Sequence, residues 1–223
     1  MISLLTNAYH FFVCVCRSKS YNNSFDGLLV YSNRNKTIIE NFEAKYNFVG
    51  IEIGHSSVNL KNVEASQNDW AGLNIYGFPE YNTSVEYILD GKVILRNNGF
   101  GNSSFSAILN QGLLVDRAGY NLTGTFTVRG DLIVQDNAGS GLLFNYTSNI
   151  TVLVEKKGSI TSCGNNKKYG GYDIENDSES DFYGKNYICN TTGGTGPGNF
   201  PVCKKSCSSL NASSKSGKAL FKP

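Results

Sequence analysis

The segment Gly91-Lys-Val-Ile-Leu-Arg-Asn-Asn98 is one of three that place a glycine seven residues before an asparagine, with a strand-like run between them. The other two are Gly130-Asp-Leu-Ile-Val-Gln-Asp-Asn137 and Gly158-Ser-Ile-Thr-Ser-Cys-Gly-Asn165. Each follows another run in which apolar and polar residues alternate, as Thr125–Val128 does before Gly130. Such alternation is typical of strands with one buried face. Two strands joined at a glycine therefore recur as one unit.

A step from asparagine to glycine leads into a third strand of the unit. Asn68 lies four residues before Gly72, Asn137 lies four before Gly141, and an apolar run follows each glycine. Glycine accepts a positive φ, and asparagine tolerates the left-handed region while its side chain bonds to the backbone. We interpret the following as corner residues: Asn68, Gly72, Gly91, Asn98, Gly130, Asn137, Gly141, Gly158 and Asn165. We expect the corner asparagines to form a hydrogen-bonded ladder from coil to coil.

The spacing of the units indicates a solenoid. Gly27 and Gly50 are 23 residues apart, Gly50 and Gly72 are 22 apart, and later steps are longer, which implies one lengthened loop per turn. The sequence predicts an all-β chain, a right-handed parallel β-helix of about six coils over residues 1–188. Residues 189–223 are predicted to form a Cys/Gly/Ser-rich cap and flexible tail without strands. We expect the chain to begin inside the solenoid, with upstream coils missing.

Over roughly Val13 to Tyr187, these turns and runs resemble the pectate-lyase-like superfamily of right-handed parallel β-helices. The resemblance implies three long sheets, and it covers polysaccharide lyases, glycoside hydrolases, epimerases and many surface proteins. Its pectin hydrolases carry paired aspartates, a Gly-His-Gly turn and an Arg-Ile-Lys stretch. Here Gly54-His-Ser56 departs from the second motif, and the other two do not occur. We therefore predict no catalytic residues, no cofactor and no metal, and His55 is interpreted as a turn or surface residue.

Composition favours an extracellular protein. Charged residues make up 17% of the chain and the formal net charge is +2, so no basic footprint for nucleic acid is present. No apolar run reaches the roughly 18 residues of a membrane helix, and no convincing signal peptide is visible. Ten asparagines lie in N-glycosylation sequons, which favours a secreted or cell-surface location, although asparagine-rich turns alone also produce such motifs.

Six cysteines fall into two groups. In an oxidising compartment Cys163, Cys189, Cys203 and Cys207 are predicted to form two disulfides of the cap, with three connectivities open. Metal binding by Cys203 and Cys207 is the competing interpretation. Cys14 and Cys16 are expected not to pair with each other, each being a core thiol or the partner of a cysteine in an upstream coil.

Acidic residues occupy every second position from Asp173 to Asp181. In one extended strand, five carboxylates would share a face and repel one another, unless a cation or a loop intervenes. We interpret the run as a solvated lateral loop, with a calcium site as the alternative.

Aromatic residues near turns suggest a ligand. Trp70, Phe78 and Tyr81 are candidates for stacking on sugar rings. The sequence therefore favours a non-enzymatic extracellular module that is structural, adhesive or glycan-binding, with a polysaccharide or cell-wall glycan as partner. The alternative is a polysaccharide lyase or glycoside hydrolase whose catalytic residues lie on upstream coils or on loops near residues 76–84 and 99–106.

Overall fold

The computed structural model describes residues 2–5, 13–31, 36–77, 84–101, 110–115, 122–145 and 148–208. Its strands are β1 (Ile2–Leu5), β2 (Val13–Cys16), β3 (Lys19–Tyr21), β4 (Leu28–Tyr31), β5 (Thr37–Lys45), β6 (Ile51–Gly54), β7 (Val58–Ser66), β8 (Leu73–Tyr76), β9 (Val85–Arg96), β10 (Leu113–Val115), β11 (Leu122–Val128), β12 (Asp131–Gln135), β13 (Leu142–Phe144), β14 (Ser148–Val154), β15 (Ser159–Cys163), β16 (Ile174–Asn176), β17 (Asp181–Tyr183), β18 (Tyr187–Ile188) and β19 (Thr192–Gly193). No helix is among the elements of these ranges.

The strands form two sheets, and every strand pair is parallel. The first sheet has the order β1-β4-β6-β8-β10-β13-β16-β19, and the remaining strands form the second sheet. Each pass of the chain adds one strand to the first sheet, followed by one bent strand or two short strands in the second. The prediction of an all-β chain with parallel strands is confirmed.

The number of sheets differs from the expected three, because the longest strands of the second sheet continue through a bend. Asn41 and Asn62 have φ angles of 53° and 52° in the middle of β5 and β7, and Gly91 has a φ of 62° in β9. Pairing between β5 and β7 resumes directly after the bend, from Phe42 and Val63 onward. A left-handed residue thus turns the strand without ending it, and hydrogen bonds join the two faces into one sheet.

The core lies between the sheets and is built from rows of like residues. In the first sheet Leu28, Ile51, Leu73, Leu113, Leu142 and Ile174 stand in register and are all fully buried. β14 shows the alternation that produces such rows, with Ile150, Val152 and Val154 buried and the residues between them exposed. Burial of each large aliphatic side chain contributes about 1.5–3 kcal/mol, so stacking of passes is the main source of stability.

The last described residues close the end of the core, and they contain strand pairing that the sequence did not predict. β19 pairs with β16, and Ile188 forms an isolated parallel bridge with Lys205. Our expectation that no strand follows residue 190 is therefore wrong. The two-residue length of β19 and the surrounding Gly and Thr explain why no alternating pattern was visible.

Candidate functional site

A ladder of asparagines holds the inner corners of successive passes, and all of its members except Asn23 are buried. It consists of Asn23, Asn47, Asn68, Asn98, Asn137 and Asn165. The backbone N–H and the side-chain Nδ2 of each residue donate to Oδ1 of the next, at 2.9 and 3.0 Å from Asn98 to Asn137. Equivalent distances along the ladder run from 2.7 to 3.3 Å. The corner asparagines predicted from their spacing are thus brought together in one row.

A row of glycines runs beside the ladder because no side chain fits there. A Cβ on Gly50 would lie 2.5 Å from the carbonyl oxygen of Gly72 and 2.7 Å from Nδ2 of Asn68. Gly27, Gly72, Gly112 and Gly141 stand in the same row and meet the equivalent atoms. At the opposite corner Gly130 and Gly158 are similarly confined, since a Cβ would collide with the backbone of Gly91 and Val128 respectively.

Asp173 occupies the next position of this glycine row and ends the ladder. Its Oδ1 accepts a hydrogen bond from Nδ2 of Asn165 at 3.2 Å, in the place of a further asparagine. Its Oδ2 accepts from the backbone N–H groups of Asn190 and Thr191 at 2.8 and 3.3 Å. One buried carboxylate thus joins the ladder to the segment from Asn190 to Cys207, which we call the closing segment.

Two more aspartates of the acidic run hold the same segment. Asp177 accepts from the backbone N–H of Thr195 at 2.6 Å, and Asp181 accepts from that of Asn199 at 2.9 Å. The run is therefore not the lateral loop that we expected, since it spans β16 and the start of β17. Among the described residues no group of three or more His, Cys, Asp or Glu side chains could hold a metal ion. Backbone N–H groups of the chain donate to all three of these aspartates.

Four of the cysteines pair in two disulfides. Cys163 bonds to Cys207 and Cys189 bonds to Cys203, which selects one of the three connectivities left open by the sequence. The sulfur atoms of Cys14 and Cys16 lie side by side on β2. Residues two apart on a strand point to the same face, so these two sulfurs are neighbours. Disulfides persist in oxidising compartments, and the chain therefore belongs outside the reducing cytosol.

An open groove of about 530 Å³ lies over the bend of the second sheet, and we name it the elbow groove. Its polar lining consists of Arg17, Lys19, Asn41, Glu43, Asn62, Glu64 and Lys92. Lys19, Glu43, Glu64 and Ile94 stand side by side on neighbouring strands, in the pairing register of β3, β5, β7 and β9. Because parallel strands are spaced by about 4.8 Å, this row presents its functional groups at a regular interval.

The two carboxylates of the elbow groove are held ionised by cations. Lys45 lies against Glu43 and 3.3 Å from Glu64, and Lys19 and Arg96 contact the same carboxylates at 3.1 and 2.9 Å respectively. Hydrogen bonds from Lys45 and from the Tyr21 hydroxyl lower the pKa of Glu43 to about 2. Both groups are therefore unsuited to donate a proton near neutral pH.

Hydrogen bonds from neighbouring side chains also keep Glu64 ionised. Burial raises the pKa of its carboxyl group, but hydrogen bonds from Arg96, Ser66 and Lys45 outweigh it and leave the pKa below its ordinary value.

Positive charge exceeds negative charge at the groove. In the part of the chain that the structure describes, no carboxylate lies within ion-pair distance of Arg17 or Lys92. Both side chains are exposed, and Asp131 stands next to Lys92 in the strand register. Arg17 and Lys92 thus present hydrogen-bond donors that the protein itself leaves available to a ligand.

Trp70, one of the aromatic residues predicted from the sequence, does not line the elbow groove. Trp70 is 2% exposed and stacks on Phe48 with ring centroids 4.7 Å apart, in a small apolar cluster with Val49, Ala71, Leu114 and Leu143. The expectation of a glycan contact at Trp70 is corrected by its burial. Phe78 and Tyr81 lie outside the described residues. His55, at a turn with a φ of 42°, is also buried, and burial lowers its pKa.

Sequence reasoning missed the elbow groove because its residues are far apart in the chain and belong to no motif. Lys19 and Lys92 are 73 residues apart in the chain and line one groove only because four passes stack in register. A signal was present in the repeat itself, since Lys19, Glu43 and Glu64 each lie four residues before a corner asparagine. Aligning the repeats on that asparagine would have placed the three in one row.

Comparison with known proteins does not extend this picture. No protein-family model matches the sequence, and no curated protein or solved structure matches it significantly. Within the described ranges no helix has the length and apolar character of a membrane span. Functional inference therefore rests on the groove and the rows of side chains that line it.

Proposed function

We propose that this chain is an extracellular right-handed parallel β-helix module that binds glycan in the elbow groove without cleaving it. The observation that carries the proposal is the groove of about 530 Å³, in which Lys19, Glu43 and Glu64 stand in register on three neighbouring strands and Asn41, Asn62 and Lys92 complete the polar lining. Carbohydrate sites are lined by such groups, because carboxylates, amides and guanidinium groups bond sugar hydroxyls directionally. Tyr21, 40% exposed beside this row, offers a flat apolar surface for a sugar ring.

The strand order supports the β-helix part of the proposal. Consecutive strands of the first sheet are adjacent in space, and each connection runs through the second sheet. Parallel strands connected in this manner take the right-handed crossover in about 98% of cases. Membership of the pectate-lyase-like superfamily is part of the proposal and rests on the turn pattern.

The oxidising compartment supports secretion or display at the cell surface. Two disulfides anchor the C-terminal part of the described chain, and the exposed Asn149 and Asn190 lie in sequons. Asn176, which also lies in a sequon, is fully buried and bonds to the backbone oxygens of Ser180 and Asn199. We expect folded, secreted protein to carry glycan at exposed sequons and none at Asn176.

The two carboxylates of the groove argue for binding rather than hydrolysis. Glycoside hydrolysis needs one carboxyl group that holds a proton near the working pH. Glu43 and Glu64 both have lowered pKa values, because ammonium and guanidinium groups bond to them. Turnover by the full chain would nevertheless favour the enzymatic alternative, with catalytic groups elsewhere.

A glycan-array screen with the full chain tests the proposal, together with reducing-sugar and unsaturated-uronate assays on the bound polysaccharides. We expect binding without turnover. Lys92→Ala removes an unpaired donor at the groove, and we expect the Kd of the strongest array ligand to rise about tenfold, the value of one charge-assisted hydrogen bond.

Lys157→Ala is the matched control. This exposed lysine lies in the turn between β14 and β15 and does not line the groove. Equal losses in both variants would contradict binding at the elbow groove, and turnover above blank would contradict the non-enzymatic assignment.

A further inference from the structure

Four exposed apolar side chains lie at the end of the stack that the closing segment covers. Val202 is 82% exposed, Tyr183 49%, Leu153 42% and Phe200 37%. Leu153 and Tyr183 are partners in the parallel register of β14 and β17, so they lie side by side on the outer face of the second sheet. Single exposed apolar residues are common on protein surfaces, whereas a group of them marks an interaction site.

Two hydrogen bonds place the closing segment alongside β17 and the turn that follows it. The backbone N–H of Phe182 donates to Oδ1 of Asn199 at 2.6 Å, and the N–H of Lys204 donates to the carbonyl of Tyr187 at 2.8 Å. The part of the closing segment between these contacts therefore runs beside the stretch that contains Tyr183.

Side chains in this part of the closing segment alternate between the interior and the solvent. Pro201 is buried, and a disulfide joins Cys203 to the buried Cys189. Phe200 and Val202 alternate with these residues and are exposed. The inward positions are already filled, so the exposure of the two apolar side chains is fixed by the fold.

Five exposed lysines occupy the same end of the stack: Lys156, Lys157, Lys185, Lys204 and Lys205. The side chain of Asn186 donates to the carbonyl of Lys156 at 3.3 Å, which joins the turn after β14 to the turn after β17. Asn186 also lines a small pocket of about 230 Å³ together with Lys204 and Lys205. The lysines of three separate segments thus meet around one residue.

The protein does not pair these lysines with its own carboxylates. Across the described ranges, none of the five lies within ion-pair distance of an Asp or Glu side chain. Glu155, next to Lys156, pairs with Arg129 at 3.1 Å, and Asp181 accepts a hydrogen bond from the backbone of Asn199. The formal net charge of +2 is therefore unevenly distributed, with an excess of positive charge at this end.

We propose that this end of the stack binds the surface of a membrane that contains anionic lipid. The lysine ammonium groups attract the lipid headgroups, and the exposed apolar side chains enter the boundary between headgroups and acyl chains. A soluble polyanion would satisfy the lysines but would offer Val202 and Leu153 no apolar environment. The combination of the two kinds of side chain therefore favours a lipid surface.

Co-sedimentation of the full chain with lipid vesicles tests the proposal. One set of vesicles is phosphatidylcholine alone, and the other contains about 30% phosphatidylserine. We expect binding to the anionic vesicles only, and weaker binding as the salt concentration is raised to about 0.5 M. Absence of binding to the anionic vesicles, or equal binding to both sets, would overturn the proposal.

A double variant tests the contribution of the lysines. We expect Lys204→Ala/Lys205→Ala to raise the Kd for anionic vesicles at least about tenfold. Lys61→Ala/Lys168→Ala is the matched control, because it removes two positive charges from exposed positions that do not belong to the group of five. Equal losses in the two variants would mean that net charge, rather than this end of the stack, determines binding, and would contradict the proposal.

Val202→Ser tests the apolar contribution separately. We expect the Kd for anionic vesicles to rise about tenfold, because the valine side chain no longer leaves water on binding. The Tm should stay within about 2 °C of wild type, since the side chain is 82% exposed in the free protein. Unchanged vesicle affinity of Val202→Ser, with tight binding of the wild type to soluble heparin, would identify a polyanion site instead of a lipid surface. These outcomes are independent of glycan binding in the elbow groove.

Discussion

A carboxamide suits the inner corner because it offers two N–H donors and one oxygen acceptor in a single plane. Asn98 uses all of them, since Nδ2 donates to the carbonyl of Ala65 at 3.1 Å and to Oδ1 of Asn137 at 3.0 Å. Its Oδ1 accepts from the backbone and the side chain of Asn68 at 3.1 and 3.0 Å. Aspartate, serine or alanine would leave at least one buried group of the neighbouring pass without a partner.

The ladder predicts that a single substitution at Asn98 strongly lowers the free energy of unfolding. Asn98→Ala removes the acceptor for two buried donors of Asn68 and the donor for the buried carbonyl of Ala65. Each buried polar group left unpaired costs about 1–3 kcal/mol, so we expect the free energy of unfolding to fall by about 3 kcal/mol or more in urea titration. Asn149→Ala, on the exposed face of β14, should change it by less than about 0.5 kcal/mol. Similar effects of the two substitutions would show that the ladder is not a stabilising element.

At the scale of a strand, the bend of β5 and β7 turns two faces of one sheet toward the elbow groove. Glu43 and Glu64 stand in register after the bend, with Lys45 between the two carboxylates. Like charges on neighbouring strands repel, and the lysine offsets that repulsion. The result is a charged row whose geometry is set by strand pairing rather than by loops.

This row predicts a pH-dependent contribution to stability. The folded-state pKa of Glu43 is about 2, below the ordinary value of 4.5. A lowered pKa stabilises the folded state above about pH 4.5, and the contribution is lost as the pH falls toward 2. Because the pair is near the surface, we expect Glu43→Gln to lower the free energy of unfolding by no more than about 1 kcal/mol at pH 7 and by nothing measurable at pH 2.

Urea titrations at both pH values measure the difference, with Glu179→Gln as the control. Glu179 contacts the side chain of Asn149 at 3.4 Å and has no cation within ion-pair distance in the described chain. A loss for Glu43→Gln that persists unchanged at pH 2 would show that its ion pairs are not the cause.

At the scale of the molecule, the described strands of each pass pair with those of the neighbouring passes, so the last pass of the stack leaves one end to be covered. The segment from Asn190 to Cys207 covers one end, where three aspartates bond its backbone and two disulfides anchor it. Stacked passes of this kind open from an exposed end rather than as one unit. The closing segment therefore controls the stability of the last strands more than that of the first.

Removal of the Cys189–Cys203 disulfide tests whether the closing segment controls the stability of the last strands. The double variant Cys189→Ala/Cys203→Ala opens a loop for which chain entropy predicts about 3 kcal/mol of lost stability. We expect amide hydrogen exchange to accelerate in β16, β18 and β19 and to stay unchanged in β5 and β7. Uniform acceleration along the chain would mean that the molecule unfolds cooperatively and would contradict opening from the end.

The sequence alone was sufficient for the local rules of the fold: alternating strands, glycine and asparagine corners, and parallel stacking of repeats. These follow from backbone sterics and from side-chain hydrogen bonds within a few residues, which recur in each unit. The prediction that Trp70 contacts glycan was wrong, because the burial of a residue in a turn depends on which distant residues pack over it. The prediction for Cys14 and Cys16 overlooked that side chains two positions apart on a strand point to the same face.

The structure was needed for features that join distant residues. The elbow groove, the pairing of Cys163 with Cys207, and the bonds from Asp173 to Asn190 and Thr191 depend on which pass lies beside which. Loop lengths vary from unit to unit, so the one-dimensional spacing of residues does not determine the neighbours of a side chain. Strand register does, because it aligns whole rows of side chains once the passes have stacked.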